Sequence, residues 1–265
     1  MKFRLDEYLS EREQIDLPAV VTLIMTGKVL VDGRPETKPG RQISDRNEII
    51  LKERPREFPA RSAAKLLGAI ESFKAFALEK RIAGHVCVDL GAAHGGFTRV
   101  LLDHGARRVY AVDVARGLLD HTIQRDERVT VLDRHNVKSI DASWFDPADL
   151  AEQPWFFSCD ISFLSLGSVF EAVARFADQS DISFSGIFLL KPQFEASAQT
   201  EKGILRDEAL RLQIREQMIA RATELGYTVR ADADSALAGR KGNVEICLLL
   251  EYGSFFKSAD FFDVL

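Results

Sequence analysis

The sequence has few cysteines and no long apolar run. Its three cysteines, Cys87, Cys159 and Cys247, each lie in or beside an apolar stretch. That placement fits reduced, buried thiols better than a disulfide framework or a zinc site. No apolar run approaches the about 20 residues that a membrane-spanning helix needs, and the first seven residues mix both charge signs. We therefore expect a cytoplasmic protein with no metal site and no membrane partner.

An excess of basic residues is also missing. The net charge is -5, with 35 Lys and Arg against 40 Asp and Glu. Nucleic-acid-binding domains are usually basic, so this balance argues mildly against such a partner. Local clusters at 52–56, 107–108 and 240–241 are candidates for RNA contact. The alternative for each cluster is ordinary solvated surface charge.

Residues 1–53 are predicted to form a small α+β domain. Leu5, Tyr8 and Leu9 fall at helical spacing, and the stretch from Pro18 to Thr26 predicts a second helix. Residues 27–34 predict a short strand that ends in Asp-Gly, a tight-turn signal, and residues 48–51 predict another strand.

The same segment resembles the S4 RNA-binding domain. The matching stretches are Arg-Leu-Asp-Glu-Tyr-Leu at 4–9, Leu-Ile-Met-Thr-Gly-Lys-Val-Leu-Val-Asp-Gly at 23–33 and Lys-Pro-Gly at 38–40. The resemblance implies binding to structured RNA by backbone and shape rather than by base sequence. The chain differs from the family at Glu11, Glu13 and Asp16, where basic residues are more usual.

A second domain is expected at 62–265, after a linker predicted at 54–61 from its two prolines and three arginines, and strand and helix segments alternate through its residues 62–252. This alternation predicts an α/β fold with a doubly wound, mostly parallel, Rossmann-like sheet. Strands are expected at 86–90, 108–113, 130–132, 156–160, 186–191 and 245–252, with a weaker one near 227–231, and helices at 62–80, 97–104, 164–176 and 207–225.

The strongest local signal is Val-Cys-Val-Asp-Leu-Gly-Ala-Ala-His-Gly-Gly-Phe-Thr at 86–98, an apolar strand followed by a glycine-rich turn. Glycine lets backbone approach a ligand closely, and open parallel sheets bind ligands at the carboxyl ends of their strands. A dinucleotide site favours Gly-x-Gly-x-x-Gly, whereas here Asp89 precedes the glycines. This order suits a cofactor with a positively charged amino-acid end, such as S-adenosylmethionine (SAM), and NAD is the alternative.

Two later segments are expected to complete the cofactor site. Asp113 ends the next strand, where a carboxylate can accept hydrogen bonds from both ribose hydroxyls of an adenosine. Asn136 and, second to it, Asp133 follow the third strand, where the adenine edge would lie. The predicted cofactor-binding residues are Asp89, Gly91, Ala92, Gly95, Gly96, Phe97, Asp113, Asp133 and Asn136.

Six stretches, in order along the chain, give a more specific resemblance. They lie at 61–66, 89–98, 159–166, 190–195, 203–207 and 242–245, and the most specific are Lys-Pro-Gln-Phe-Glu and Asp-Ile-Ser-Phe-x-Ser-Leu. Together they resemble the TlyA (hemolysin A-like) family of SAM-dependent rRNA 2′-O-methyltransferases, which is related to the FtsJ type. The resemblance implies ribosomal RNA or ribosomal subunits as partners and cytidine as the target. The chain differs at Ser62, where the family usually has glycine.

The family resemblance also implies a catalytic tetrad, which falls on Lys65, Asp160, Lys191 and Glu245. A lysine removes the proton of a ribose hydroxyl only when its pKa falls from about 10.4 toward neutral. We expect Lys191 to be the base, Asp160 and Lys65 to position the hydroxyl, and Glu245 to orient the group. In-line alignment of the two substrates would carry much of the catalysis.

Two other functions are compatible with parts of the sequence. A degenerate methyltransferase domain that only binds RNA or ribosomes would lack SAM affinity. A membrane-active hemolysin is suggested by the family name alone, and the chain shows no spanning segment, export signal or long basic amphipathic helix to support it.

Overall fold

The computed structural model describes residues 2–13, 17–44, 46–52, 61–239 and 242–257. The chain divides into two compact units, Met1–Phe58 and Pro59–Leu265. The linker predicted at 54–61 lies outside the described residues except for Arg61, which begins a helix. The assignment of residues 1–53 and 62–265 as separate functional domains stays a prediction.

The smaller unit packs its helices and short strands around an apolar core. Leu5 and Leu9 lie one helical turn apart, as do Val20 and Ile24, so each helix buries one face. The elements are β1 (Lys2–Arg4), α1 (Leu5–Glu13), α2 (Leu17–Met25), β2 (Val29–Val31), β3 (Arg34–Glu36), β4 (Gln42–Ser44) and β5 (Ile49–Leu51).

The predicted Asp-Gly turn joins β2 to β3. Asp32 and Gly33 have φ angles of 52° and 76°, the left-handed backbone that tight hairpins require. β2 pairs antiparallel with β3 and β5, and β1 pairs antiparallel with β4. The strands β1, β3 and β4 were not predicted, because their residues are mostly polar or charged, whereas the equally short β2 and β5 are apolar throughout.

The larger unit contains one mixed sheet and the helices that cover it. Among the described residues, no helix is long and apolar enough to cross a membrane. The elements are α3 (Arg61–Ser72), α4 (Leu78–Ile82), β6 (Val86–Leu90), α5 (Gly96–Asp103), β7 (Arg108–Asp113), α6 (His121–Gln124), β8 (Val129–Asp133), α7 (Pro147–Leu150), β9 (Trp155–Cys159), α8 (Leu166–Ser180), β10 (Phe184–Leu190), α9 (Pro192–Glu195), α10 (Glu208–Glu224), β11 (Thr228–Asp234) and β12 (Ile246–Tyr252).

The sheet has seven strands in the order β11-β12-β10-β9-β6-β7-β8. The five strands from β10 to β8 are parallel to their neighbours, and β12 is antiparallel to both β10 and β11. The chain runs from β6 to one side through β7 and β8, then crosses to β9 and β10. The predicted doubly wound sheet is confirmed, and its switch point between β6 and β9 is where such sheets bind ligands.

Each central strand buries both of its faces. Val86, Val88 and Leu90 belong to one apolar cluster, and Cys87 between them belongs to the cluster on the other face. A strand that is buried on both sides shows a continuous apolar run rather than an alternating one. This explains why the strand positions could be predicted from apolar runs.

One predicted helix was wrong. The helix expected at 62–80 ends at Ser72, a 3₁₀ turn follows at Lys74–Phe76, and α4 begins at Leu78. Ala77 has a φ of 48°, a left-handed conformation that interrupts a right-handed helix. No glycine or proline lies between Ser72 and Leu78, so the sequence carries no local helix-breaking signal at the interruption.

Candidate active site

Three charged residues lie at one edge of the sheet. Asp160 follows β9 and Lys191 follows β10, so two adjacent parallel strands deliver them to the same edge. Glu245 precedes β12, whose first residue, Ile246, pairs with Leu190 at the end of β10. The antiparallel strand therefore begins where its neighbour ends.

The fourth residue, Lys65 of α3, joins these three in a charged cluster. Its Nζ lies 2.6 Å from Glu245 Oε2 and 3.6 Å from Asp160 Oδ1, and Lys191 Nζ lies 2.7 Å from the same Asp160 oxygen. All four side chains are at least 87% buried. The structure thus brings together the four residues of the predicted tetrad, with two amines and two carboxylates in alternating order.

Lys191 has two further acceptors. Its ammonium donates to the backbone oxygen of Asp160 at 3.1 Å and to Ser162 Oγ at 2.9 Å. Ser162 is exposed. The buried Asp160 Oδ1 makes its contact with Lys191 outside hydrogen-bond geometry, so this oxygen keeps the capacity to accept a hydrogen bond. Sequence reasoning missed Ser162, which stands in the matching motif but carries no charge.

Residues 235–239 and 242–243 lie around Glu245. Ser235 N donates to the Glu245 backbone oxygen at 2.8 Å, and a Cβ on Gly239 would lie 2.6 Å from Glu245 Oε1. The buried Asn243 side chain accepts from Leu205 N and donates to Gly203 O, both at 2.9 Å. The two late matching stretches of the sequence are therefore connected to each other and support the cluster.

The glycine loop, residues 91–95, lies directly beside the cluster. Asp160 N donates to Leu90 O at 3.0 Å, and a Cβ on Gly91 would lie 3.2 Å from the Asp160 carbonyl. Gly91 and Gly95 have φ angles of 84° and 90°, which favour glycine. A Cβ on Gly95 would lie 2.6 Å from Ile123 and 2.7 Å from Leu119. Backbone conformation and close packing both require glycine at these two positions.

Asp89 lies beneath the glycine loop and is wholly buried. Its carboxyl oxygens accept from Thr98 Oγ1 at 2.7 Å and Ser158 Oγ at 3.1 Å. Burial raises the pKa of the Asp89 carboxyl to about 7, although the two hydroxyl hydrogen bonds oppose that rise. Asp89 therefore links β6 to α5 and β9 under the loop.

The remaining predicted cofactor residues divide into two groups. In the first group, Ala92 lies in the glycine loop, Gly96 begins α5, and the Phe97 side chain lies in the core. Asp113 belongs to the same group, and its carboxylate accepts from Ala93 N and Ala115 N, both at 2.8 Å. Asp133 instead accepts from Gly117 N at 2.9 Å. The exposed Asn136 accepts from Lys138 N at 3.1 Å. The first group adjoins the glycine loop, whereas the local contacts of the second hold neighbouring turns.

An aromatic pair, the exposed Phe163 and the half-buried Phe194, adjoins the charged cluster. Phe163 is 89% exposed and has a φ of 65°. Its ring centroid lies 5.0 Å from that of Phe194, and the Phe194 ring lies 6.0 Å from Lys191 Nζ. A large apolar ring exposed to this degree in a left-handed conformation is unusual. Sequence reasoning did not single out either ring, because a phenylalanine next to an apolar run is usually buried.

Within the described residues, no group of three or more His, Cys, Asp or Glu side chains is arranged to hold a metal ion.

Comparisons with known proteins agree on one family. Residues 58–252 match the model of the FtsJ-like methyltransferases. The 16S/23S rRNA (cytidine-2′-O)-methyltransferase TlyA of Mycobacterium tuberculosis is 38% identical over 232 residues, which cover 86% of this chain and 81% of that one. Hemolysin A of Brachyspira hyodysenteriae is 33% identical over 91% of this chain and 97% of its own. The structure of a candidate hemolysin from Streptococcus thermophilus, 30% identical, superposes with a TM-score of 0.66 over 96% of this chain and 89% of its own.

Proposed function

The chain belongs to the TlyA (hemolysin A-like) family of FtsJ-like methyltransferases, and from that premise we propose that it methylates the ribose 2′-oxygen of cytidine in ribosomal RNA, with SAM as the methyl donor. The observation that carries this proposal is that the charged cluster lies beside the glycine loop. Asp160 connects the two, since its carboxylate pairs with Lys191 and its backbone packs against Gly91. The names of the TlyA relatives support the rRNA substrate and the cytidine, and such a substrate places the reaction in the cytoplasm.

The glycine loop fits SAM. Gly91 and Gly95 leave room that a Cβ would fill, so backbone can approach the amino-acid end of the cofactor. Asp113 is half-buried beside this loop, and each carboxylate oxygen that accepts one backbone amide keeps a second lone pair for a ribose hydroxyl. When bound, SAM supplies a methyl group made electrophilic by its sulfonium.

The charged cluster then acts on the ribose hydroxyl. Asp160 Oδ1, which is ion-paired with Lys191 but makes no hydrogen bond, would orient the hydroxyl. The Lys191 amine would take the hydroxyl proton as the oxygen forms its bond to the methyl carbon and the carbon–sulfur bond breaks. Lys65, paired with Glu245 at 2.6 Å, holds the cluster together and balances its charge. Ser162 Oγ is the exposed acceptor of Lys191, and the ribose hydroxyl would take its place beside that amine.

The aromatic pair fits the base of the target nucleotide. Proteins that recognise particular nucleotides in RNA mostly bind loops, bulges and ends, whose bases are unstacked. Exposed aromatic rings hold such bases by stacking, worth about 1–3 kcal/mol per base. We assign this contact to Phe163, with Phe194 behind it. The acidic S4-like segment at 1–53 is assigned to RNA binding by shape.

The direct test is methyl transfer from labelled SAM to purified ribosomal subunits. A 2′-O-methyl group blocks alkaline cleavage, so the label should remain in alkali-resistant dinucleotides that contain methylated cytidine. Lys191→Ala should reduce the rate by about 10²-fold or more, whereas Lys74→Ala, which alters an exposed lysine paired with Glu71, should not. A wild-type protein that binds SAM but labels no RNA would refute the proposal. Binding to subunits without SAM affinity would favour the degenerate, RNA-binding alternative.

A further inference from the structure

The arginines of the larger unit differ in whether they have an acidic partner. Arg107 and Arg108, which the sequence offered as an RNA contact, both reach Asp149, at 2.8 and 3.5 Å. Carboxylates also hold several others within hydrogen-bond or ion-pair distance. These are Arg81, Arg99, Arg128, Arg211, Arg215 and Arg221.

Arg116 and Arg134 form a contrasting pair, here called the arginine rim. Both are exposed, and in the part of the chain that the structure describes neither guanidinium has a hydrogen bond or ion pair. Arg134 also has a φ of 59°, a conformation that side-chain-bearing residues seldom adopt. Its backbone N–H donates to Ala115 O at 3.1 Å, which fixes it next to Arg116.

Two further hydrogen bonds hold the two turns together. His135 N donates to Asp113 O at 3.0 Å, and Gly117 N donates to Asp133 Oδ2 at 2.9 Å. The turns follow β7 and β8, so the arginine rim lies at the same edge of the parallel sheet as the glycine loop and the charged cluster. The carboxylates of Asp113 and Asp133 accept from backbone amides, and in the described part of the chain neither forms an ion pair with the rim.

Two exposed arginines on turns that are bonded to each other, neither paired with a carboxylate, attract an anion. A guanidinium presents parallel N–H groups that match two phosphate oxygens. SAM contains no phosphate, whereas an RNA strand carries one at every nucleotide. We propose that the arginine rim binds backbone phosphates of the RNA strand that presents the target ribose to the charged cluster. This inference rests on the proposed RNA substrate. It identifies where the RNA strand would bind on a protein whose net charge is -5.

The test compares binding of purified ribosomal subunits at several salt concentrations. The double variant Arg116→Ala/Arg134→Ala removes two phosphate contacts, so the slope of log K against log salt should become shallower by about 1.4–1.8. The KM for subunits should rise about tenfold, which corresponds to about 1.4 kcal/mol, while kcat stays within about twofold and the SAM Kd is unchanged. Arg116→Lys/Arg134→Lys should recover most of the salt slope, because it retains the charges.

The control is Arg99→Ala/Arg128→Ala, which also removes two positive charges from the larger unit, but from arginines paired with Asp103 and Asp126. This control should leave the salt slope at its wild-type value. The inference is overturned if the rim variant matches the control, or if it loses SAM affinity and keeps its salt slope. A wild-type protein that binds subunits with the expected slope but does not methylate them would overturn the proposed function and leave the rim in place.

Discussion

The charged cluster and the glycine loop lie side by side, but different interactions hold them. The cluster joins side chains from distant segments, with Lys65 and Glu245 separated by 180 positions, and it depends on buried opposite charges. The glycine loop is one contiguous stretch, held by backbone hydrogen bonds and by the close packing around Gly91 and Gly95. Changes of charge should therefore damage the cluster alone, and changes of volume should damage the loop.

The largest effect is expected from Glu245→Ala. It leaves the Lys65 ammonium buried with only the longer contact to Asp160, and removing one partner of a buried pair costs about 3–5 kcal/mol. Methyl transfer should fall by about 10²-fold or more, with the SAM Kd little changed. Urea unfolding and labelled-SAM assays measure the two effects.

Glu71→Ala is the matched control, because it breaks a Lys–Glu pair that is exposed and 3.0 Å long. Exposed pairs contribute about 0–1 kcal/mol, so this variant should keep both stability and activity. Equal stability losses in the two variants would show that the cluster is not held by its charges.

The Asp89→Asn variant tests whether the buried carboxyl beneath the glycine loop is uncharged. Burial raises its pKa from 3.8 to about 7, so the folded state keeps the proton after the unfolded chain has released it. The Asp89 contribution to stability is therefore full below about pH 4 and is lost as the pH rises toward 7. Replacing it by Asn, which never releases a proton, should remove this loss, a difference on the order of a few kcal/mol.

The measurement is urea unfolding of wild type and Asp89→Asn between pH 4.5 and 8, followed by tryptophan fluorescence. Both tryptophans, Trp144 and Trp155, lie in the larger unit. The difference in the free energy of unfolding between the two proteins should change steadily up to about pH 7 and then level off. A difference that does not change with pH would mean that Asp89 is ionised over this whole pH range, so that a charged carboxylate lies beneath the glycine loop.

Gly95→Ala should weaken SAM binding about tenfold, because a left-handed residue with a Cβ costs about 1–2 kcal/mol and its Cβ would also press on Leu119 and Ile123. Gly91→Ala should lower kcat as well, since its Cβ meets the Asp160 backbone. Calorimetry with SAM measures the loss of affinity, and assays at saturating SAM measure the loss of kcat.

Gly84→Ala isolates the backbone strain. Gly84 has a φ of 77°, nothing lies within 4 Å of a Cβ built there, and it precedes β6 at the end opposite the loop. It should lose stability without losing SAM affinity. If all three variants bind SAM like the wild type, the glycine loop is not the cofactor site.

The same contrast explains what could be predicted from the sequence. The glycine loop was readable because its strand, glycines and helix are contiguous. The charged cluster depends on strand order and on the antiparallel return of β12, and only the family resemblance pointed to it. Solitary neutral or apolar residues such as Ser162 and Phe163 gave no signal, because their importance comes from their neighbours in space. Arg107 and Arg108 looked available for RNA because the acid that binds them, Asp149, lies 41 or more residues away.

The smallest effect concerns the connection between the segments that follow Asp160 and Lys191. Glu195, at the end of α9, accepts from Leu166 N at 2.7 Å and so caps α8, while Ser165 at the N-cap makes no such bond. Glu195→Ala should cost about 1 kcal/mol of stability and lower kcat several-fold without changing the SAM Kd, because Phe163 and Ser162 lie just before the uncapped helix. Glu195→Gln keeps an acceptor and should restore kcat.

Asp207→Ala removes a comparable cap, that of α10, and should lose similar stability while keeping kcat. If Asp207→Ala slows the reaction as much as Glu195→Ala does, then Glu195 acts through stability alone and does not position the cluster.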